Sequence, residues 1–333
     1  MKNETVLRAV PPPEPDDVEE PRRRPEHWSW PAYAVAGAYI VLLGYLYMRP
    51  GGRGPILAFT AWRPLLELLA FVVLAFAAVW CGLHRPILQR RRLWPFVSLL
   101  AVIGFAQVRF PYPSSHEGRE SAVCFRLPFD TGSGGDWTVF WGGETIDENR
   151  LAEFSADRRW GVDFVVTDQG KSHRGLGLAP KDFLVYGREV LAPADGKVVR
   201  MQAGVPESKP GMYDSRVPAL GNFIVLQVAE GEFLFISHLL DGSVPVREGD
   251  AVRAGAPIGK VGNSGYSTAT PQPHLALHLQ DTAEPGDGEP IPWKFCGYVA
   301  DGTVIERGLP RGGVDSDGNL NGQRVRPRVS TDR

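Results

Sequence analysis

An excess of charge of one sign is what this sequence most clearly lacks. Its 333 residues carry 36 Lys and Arg against 38 Asp and Glu, a formal net charge of -2. No basic stripe runs along it, so a general nucleic-acid binder is excluded. Cysteine is scarce as well: three in the whole chain are too few for a small disulfide-framed secreted module. The N-terminal stretch is not expected to be a signal peptide. Residues 1–27 are Pro-rich and charged (VPPPEPDDVEEPRRRPEHW), without a short apolar core and small-residue cleavage site, and read as a disordered tail. With 43% hydrophobic residues, global disorder is excluded.

The apolar residues that are present lie mostly before residue 112. Three runs stand out: Pro31–Met48, with no charge; Pro64–Leu83, with only Glu67; and the shorter Leu93–Val108. A hydrocarbon core about 30 Å thick needs roughly 20 apolar residues to cross it. The spacing predicts a membrane region over 28–112 with helices at about 31–48, 64–83 and 93–110, the third borderline in length. Trp30, Tyr47, Trp80 and Trp94 lie near the ends, where aromatic belts sit. Arg22, Arg23 and Arg24 precede the first run, and Arg85, Arg90, Arg91 and Arg92 lie between the second and third. Positive charge favours the cytoplasmic side. The expectation is a multi-pass protein of a bacterial inner membrane, N-terminus cytoplasmic and everything after residue 112 outside.

From about residue 113 the pattern changes. Short runs such as WTVFWGG, GVDFVVTD, NFIVLQVAEGEFLFISHL and HLALHLQD are separated by Gly, Pro and Asp, and long helix-period patterns are absent. This predicts an all-β domain over 113–305, followed by a loose tail over 306–333.

Of seven His, His27 and His84 flank or fall in the membrane half, and His116 and His173 sit in polar loops and read as solvated. His238, His274 and His278 remain. Residues 274, 276 and 278 share one face of a strand, because side chains alternate with period two. Two His on one face raise a metal hypothesis with a carboxylate as third ligand. Asp163, which interrupts an apolar strand, is the best carboxylate. Ser264 in GNSG lacks the G-x-S-x-G elbow of a nucleophile and reads as a turn residue. Cys124 and Cys296 bracket the β region and are either a disulfide tying its ends together, which an oxidising compartment outside the cytoplasm allows, or two separately buried thiols.

The order GVDF, VLAPADGKVV, SHL, GDAVRAGAPIGKVGNSG and PHL, over roughly residues 135–300, resembles the lysostaphin/LytM-type zinc metallopeptidases, peptidase family M23. The resemblance implies a duplicated-hybrid-motif, barrel-sandwich β fold, one zinc ion and cleavage of peptidoglycan peptides. It also implies zinc ligands from a first His, an Asp usually four residues later, and the second His of an H-x-H. The other His of H-x-H and the His of the HL strand assist the attacking water.

Carried over by position, Asp163 matches the Asp, His238 the HL histidine and His274 the first His of H-x-H. The second His is replaced by Ala276. The first His is replaced by Arg159, or by Leu151 if it is taken from an upstream N-x-H, here Asn149–Leu151. One carboxylate should not hold catalytic zinc, which needs three protein ligands and an open water position. The expectation is therefore a vestigial site without zinc, with Arg159 pairing Asp163 in place of the metal. Such a domain would bind cell-wall peptide or regulate a cell-wall hydrolase at the bacterial membrane. The alternatives are an active zinc endopeptidase using His278, His274 and Asp163 as a displaced ligand set, and a structural subunit of a membrane complex.

Overall fold

The computed structural model describes residues 29–83, 90–108, 110–131, 135–151, 155–314 and 319–328; the tail expected over 1–27 lies outside them. Helix α1 runs Ser29–Tyr47. A short α2 (Arg53–Leu57) leads through a π-helical turn (Ala58–Trp62) into α3 (Arg63–Leu83). Helix α4 runs Arg90–Ala106. At 1.5 Å per residue, α1 and α3 are about 28 and 32 Å long, enough to cross a hydrocarbon core. Among the described residues, two helical stretches, Ser29–Tyr47 and Arg53–Leu83, are long and apolar enough to cross, and the apolar part of α4, Leu93–Ala106, is shorter. The sequence placed the end of the third run at about 110, whereas the helix stops at Ala106.

Small side chains let these helices approach closely. Ala32, Ala36 and Tyr39 of α1, Ala70 of α3, and Leu99 and Val102 of α4 form one buried seam. Glu67, the one acid in the apolar runs, turns inward. It accepts hydrogen bonds from Tyr39 Oη (2.9 Å) and Arg63 Nε (2.9 Å), so its carboxylate is satisfied within the bundle.

The rest is mostly antiparallel sheet. Its strands are β1 (Asp136–Trp141), β2 (Val162–Thr167), β3 (Glu189–Leu191), β4 (Gly196–Gln202), β5 (Asn222–Ala229), β6 (Glu232–Leu239), β7 (Ala251–Val252), β8 (Pro257–Lys260), β9 (Leu275–Gln280), β10 (Phe295–Ala300), β11 (Thr303–Gly308) and β12 (Arg324–Pro327). Ten form one sheet in the order β11-β10-β12-β1-β2-β9-β6-β5-β4-β7, and β3 pairs with β8 separately. One face of the large sheet buries Phe164, Ile224, Ile236, Leu277 and Phe295 in a common core, the product of period-two alternation.

One expectation is corrected here, and one open choice is resolved. The sheet does not end at 305: β11 completes a hairpin with β10, and β12 lies between β10 and β1. The signal was too thin to read, because Val325 is the single buried position of its strand. The open choice for Cys124 and Cys296 also resolves: the two form a disulfide with 5.6 Å between Cα atoms, tying the segment that enters the domain to β10.

The membrane half and the β half touch. Ile56 and Phe59, from the hairpin between α1 and α3, pack with Tyr112 and Ala156. Arg49 and Arg53 of the same hairpin pair with Glu117 and Asp287 of the β half.

Candidate functional site

Register builds the site. In the pairing of β2 with β9, Asp163 lies opposite Ala276; in that of β9 with β6, Ala276 lies opposite Ser237. Three adjacent strands thus set Asp163, Ala276 and Ser237 in a row on one face, with His274 and His278 two residues to either side of Ala276 on that face. Alternation would send His238 to the opposite side. Its backbone instead takes φ 64°, a left-handed conformation uncommon outside glycine and concentrated at functional sites. The turn brings its ring to 4.5 Å from that of His274, centroid to centroid. Gly221 makes room nearby: at φ +60°, a Cβ there would stand 2.3 Å from the Ser264 backbone.

Both imidazoles are held by one nitrogen. His238 Nδ1 donates to the Ser264 carbonyl (2.9 Å), and His274 Nδ1 to the Gln272 carbonyl (2.7 Å). A carbonyl can only accept, so in the neutral ring the proton sits on Nδ1 and Nε2 is an acceptor. Ser264, a turn residue by sequence, is thus a positioning residue. Burial pushes the pKa of His238 and of His274 down to about 3 and that of His278 to about 4, so all three are neutral near pH 7.

Asp163 is fully buried. One carboxylate oxygen accepts from Arg158 Nη2; the other accepts from Thr270 Oγ1 at 2.6 Å and lies 3.7 Å from His274 Nε2. The cation beside Asp163 is Arg158, not Arg159 as the four-residue spacing suggested. A single 3-10 turn, Ala156–Arg158, aims consecutive side chains differently. Arg158 points inward. Arg159 points away, donating to Glu117 (2.8 Å) and to the Tyr112 carbonyl (3.0 Å) with its guanidinium over Trp160. Leu151 clusters with Trp141 and Ala269 beside the row and offers no donor.

The implied zinc does not fit these residues. Asp163 is the sole ligand-type side chain left in its row, and its oxygens are already engaged by a guanidinium and a hydroxyl. His278 does not supply the deficit: its ring stacks on Phe235, and its Nε2 lies 3.7 Å from Asp157. Among the described residues, no three ligand atoms gather within 4.8 Å of one another at Asp163. Arg158 Nε, Ser237 Oγ, His274 Nε2 and His278 Nε2 are buried without a hydrogen-bond partner. Of these four residues Arg158 alone reaches the wall of a cavity of about 330 Å³, which Ser155, Asp157, His238, Tyr266 and Ser267 also line.

A profile of peptidase family M23 matches residues 171–288. No curated protein matches the chain. Solved structures similar to it include the catalytic domain of a mutant of the prophage-encoded M23 protein EnpA from Enterococcus faecalis, at 22% identity over 50% of this chain and 94% of that one, TM-score 0.29. The catalytic domain of the antimicrobial peptidase lysostaphin from Staphylococcus simulans is similar at 22% identity over 47% and 88%, TM-score 0.27. A chain from the SpoIIIAH–SpoIIQ complex is similar at 19% identity over 50% and 96%, TM-score 0.32. By the family profile, residues 171–288 of the β half are thus similar to peptidase family M23.

Three neutral buried His have a consequence for stability. The ordinary His pKa is 6.5, and the folded values lie well below it. Between these limits the unfolded chain binds protons that the folded chain refuses, so stability falls as pH drops from about 6.5 toward 4. His116 acts oppositely. Its pKa is raised, chiefly by the hydrogen bond to Asp281, so its contribution is present below 6.5 and fades as pH rises through the folded value. With three against one, the urea midpoint of β-domain unfolding should drop between pH 7 and 4.5. A midpoint that holds or rises over that interval would refute the assignment.

Proposed function

We propose that this protein is a membrane-anchored, outward-facing M23-type domain that recognises cell-wall peptide, or a cell-wall hydrolase, without cutting. The observation that carries the reading is the Arg158 guanidinium on Asp163 opposite Ala276. A permanent cation stands beside the one carboxylate a zinc ion would need, and a methyl group replaces a ligand imidazole. Without metal, nothing there lowers the pKa of a water into the working range. The polar groups that surround the row are kept. Unpartnered buried polar atoms are costly and rare in native structures, and their retention around a cavity fits a surface that still meets a polar ligand.

Three features support the anchoring and its direction. The disulfide fits an oxidising compartment. The Arg distribution favours a cytoplasmic N-terminus. The contacts of Arg49, Arg53, Ile56 and Phe59 with the β half put the first hairpin and the domain on the same side. If α1 and α3 both cross, that arrangement requires α4 to cross as well. Its apolar part, Leu93–Ala106, is about 21 Å long, so the bilayer would have to thin around it.

The test uses the full chain in detergent with purified peptidoglycan sacculi. Co-sedimentation with no release of soluble fragments and no new peptide amino groups is expected, weakened at least about tenfold by Tyr266→Ala at the cavity wall. Chelator-sensitive release of fragments would replace this reading with the displaced-ligand peptidase. Absence of both binding and cleavage, with membrane proteins co-purifying, would replace it with a structural subunit.

A further inference from the structure

We infer that His116, Asp281 and Glu289 form a second, separate site for a divalent transition-metal ion of the zinc type, where the membrane hairpin meets the β domain. His116 follows the last helix and Asp281 and Glu289 flank the loop between β9 and β10. Their ligand atoms lie within 4.8 Å of one another, with His116 Nε2 3.1 Å from Asp281 Oδ2. Sequence placed His116 in a solvated loop; its partner is 165 residues away, and the ring is only 27% exposed.

Charge carries the inference beyond proximity. Glu289 is 1% exposed, yet only neutral groups hold it: Tyr112 Oη donates to one oxygen (2.5 Å), and the Ser115 hydroxyl and backbone N–H donate to the other. No Lys or Arg pairs with it among the described residues; Arg49 and Arg53 of the hairpin pair with Glu117 and Asp287. A buried carboxylate without a cation is costly, and here the Asp281 carboxylate stands beside it.

The donor chemistry suits such an ion. One imidazole nitrogen and two carboxylates make a three-ligand set of the kind zinc takes. Asp281 Oδ1 also accepts the Glu289 N–H (2.8 Å). Outer hydrogen bonds of this sort, with those from Tyr112 and Ser115, orient ligating carboxylates. Gly51 lies over the cluster, where a Cβ would meet Ser115 Oγ at 3.3 Å and Glu289 Oε2 at 3.9 Å. An ion there would fasten the hairpin's landing point to the sheet. The inference is independent of the function proposed for the groove, with which it shares no residue.

The test is the zinc content of the full chain in detergent after incubation with zinc alone and dialysis, by elemental mass spectrometry. About one zinc per chain is expected in the wild type and in His274→Ala, with affinity weakened at least about 100-fold in His116→Ala. His116→Ala is checked by circular dichroism, and Asp281→Asn serves as a second variant should it misfold. Zinc kept by both variants but lost in His274→Ala would overturn this site, and the non-catalytic groove with it. A wild type that takes up no zinc from a tenfold excess would overturn this site and leave the groove reading standing.

Discussion

Replacing Arg158 by alanine is expected to cost the β domain about 3–5 kcal/mol of unfolding free energy, the range for breaking a buried ion pair from one side. Asp163 is fully buried, and the Arg158 side chain is 10% exposed. Truncation would leave a carboxylate in the sheet with the Thr270 hydroxyl as its remaining close partner. Arg159→Ala removes a pair whose Glu117 side is 33% exposed and a contact over Trp160, together about 1 kcal/mol. The contrast between adjacent arginines is the discriminating result. Tryptophan fluorescence in a urea titration reads it directly. Adding Asp163→Asn to Arg158→Ala should recover much of the loss, because the stranded charge is then gone. Equal effects of the two arginine variants would mean that the pairing at Asp163 is misassigned.

The second large effect belongs to the disulfide. Cys124 and Cys296 are 172 residues apart in sequence. Closing a loop of that length removes chain entropy from the unfolded state worth roughly 5 kcal/mol in the simplest account. The bridge joins the entering segment to β10 where Phe125 and Phe295 also pair. The Cys124→Ser, Cys296→Ser variant should therefore melt far below the wild type under non-reducing conditions, and dithiothreitol should lower the wild type to the same temperature. A melting point insensitive to both treatments would show that the bridge does not form.

What was legible in the sequence was whatever strand alternation and motif order encode. Asp163, His238 and His274 could be placed by their order in the chain, and the β2–β9 register does put Ala276 opposite Asp163. What depends on a single turn was not legible. The 3-10 turn over Ala156–Arg158 has no periodic signature, so counting four residues back selected Arg159 and passed over the neighbour that reaches the carboxylate. Thr270 gave no signal, because a hydroxyl becomes a carboxylate donor only through a contact 107 residues distant. The same limit hid the partnership of His116 with Asp281. β12 was lost for another reason: its one buried side chain is flanked by arginines, the composition of a loop.

The way the membrane half meets the β half sets how far this domain can travel. Between the end of α4 at Ala106 and Ser114, whose hydroxyl already bonds the Pro290 carbonyl, residues 107–113 could reach at most about 25 Å if fully stretched. They are not free to stretch, since Tyr112 is itself buried and the hairpin grips Glu117 and Asp287. The β half is thus held against the helices by contacts as well as by its linker, and moving one against the other would first have to break the Arg49–Glu117 and Arg53–Asp287 pairs. Ile56 and Phe59 pack against Ala156, in the turn that also carries Asp157 and Arg158, so the hairpin braces one wall of the groove.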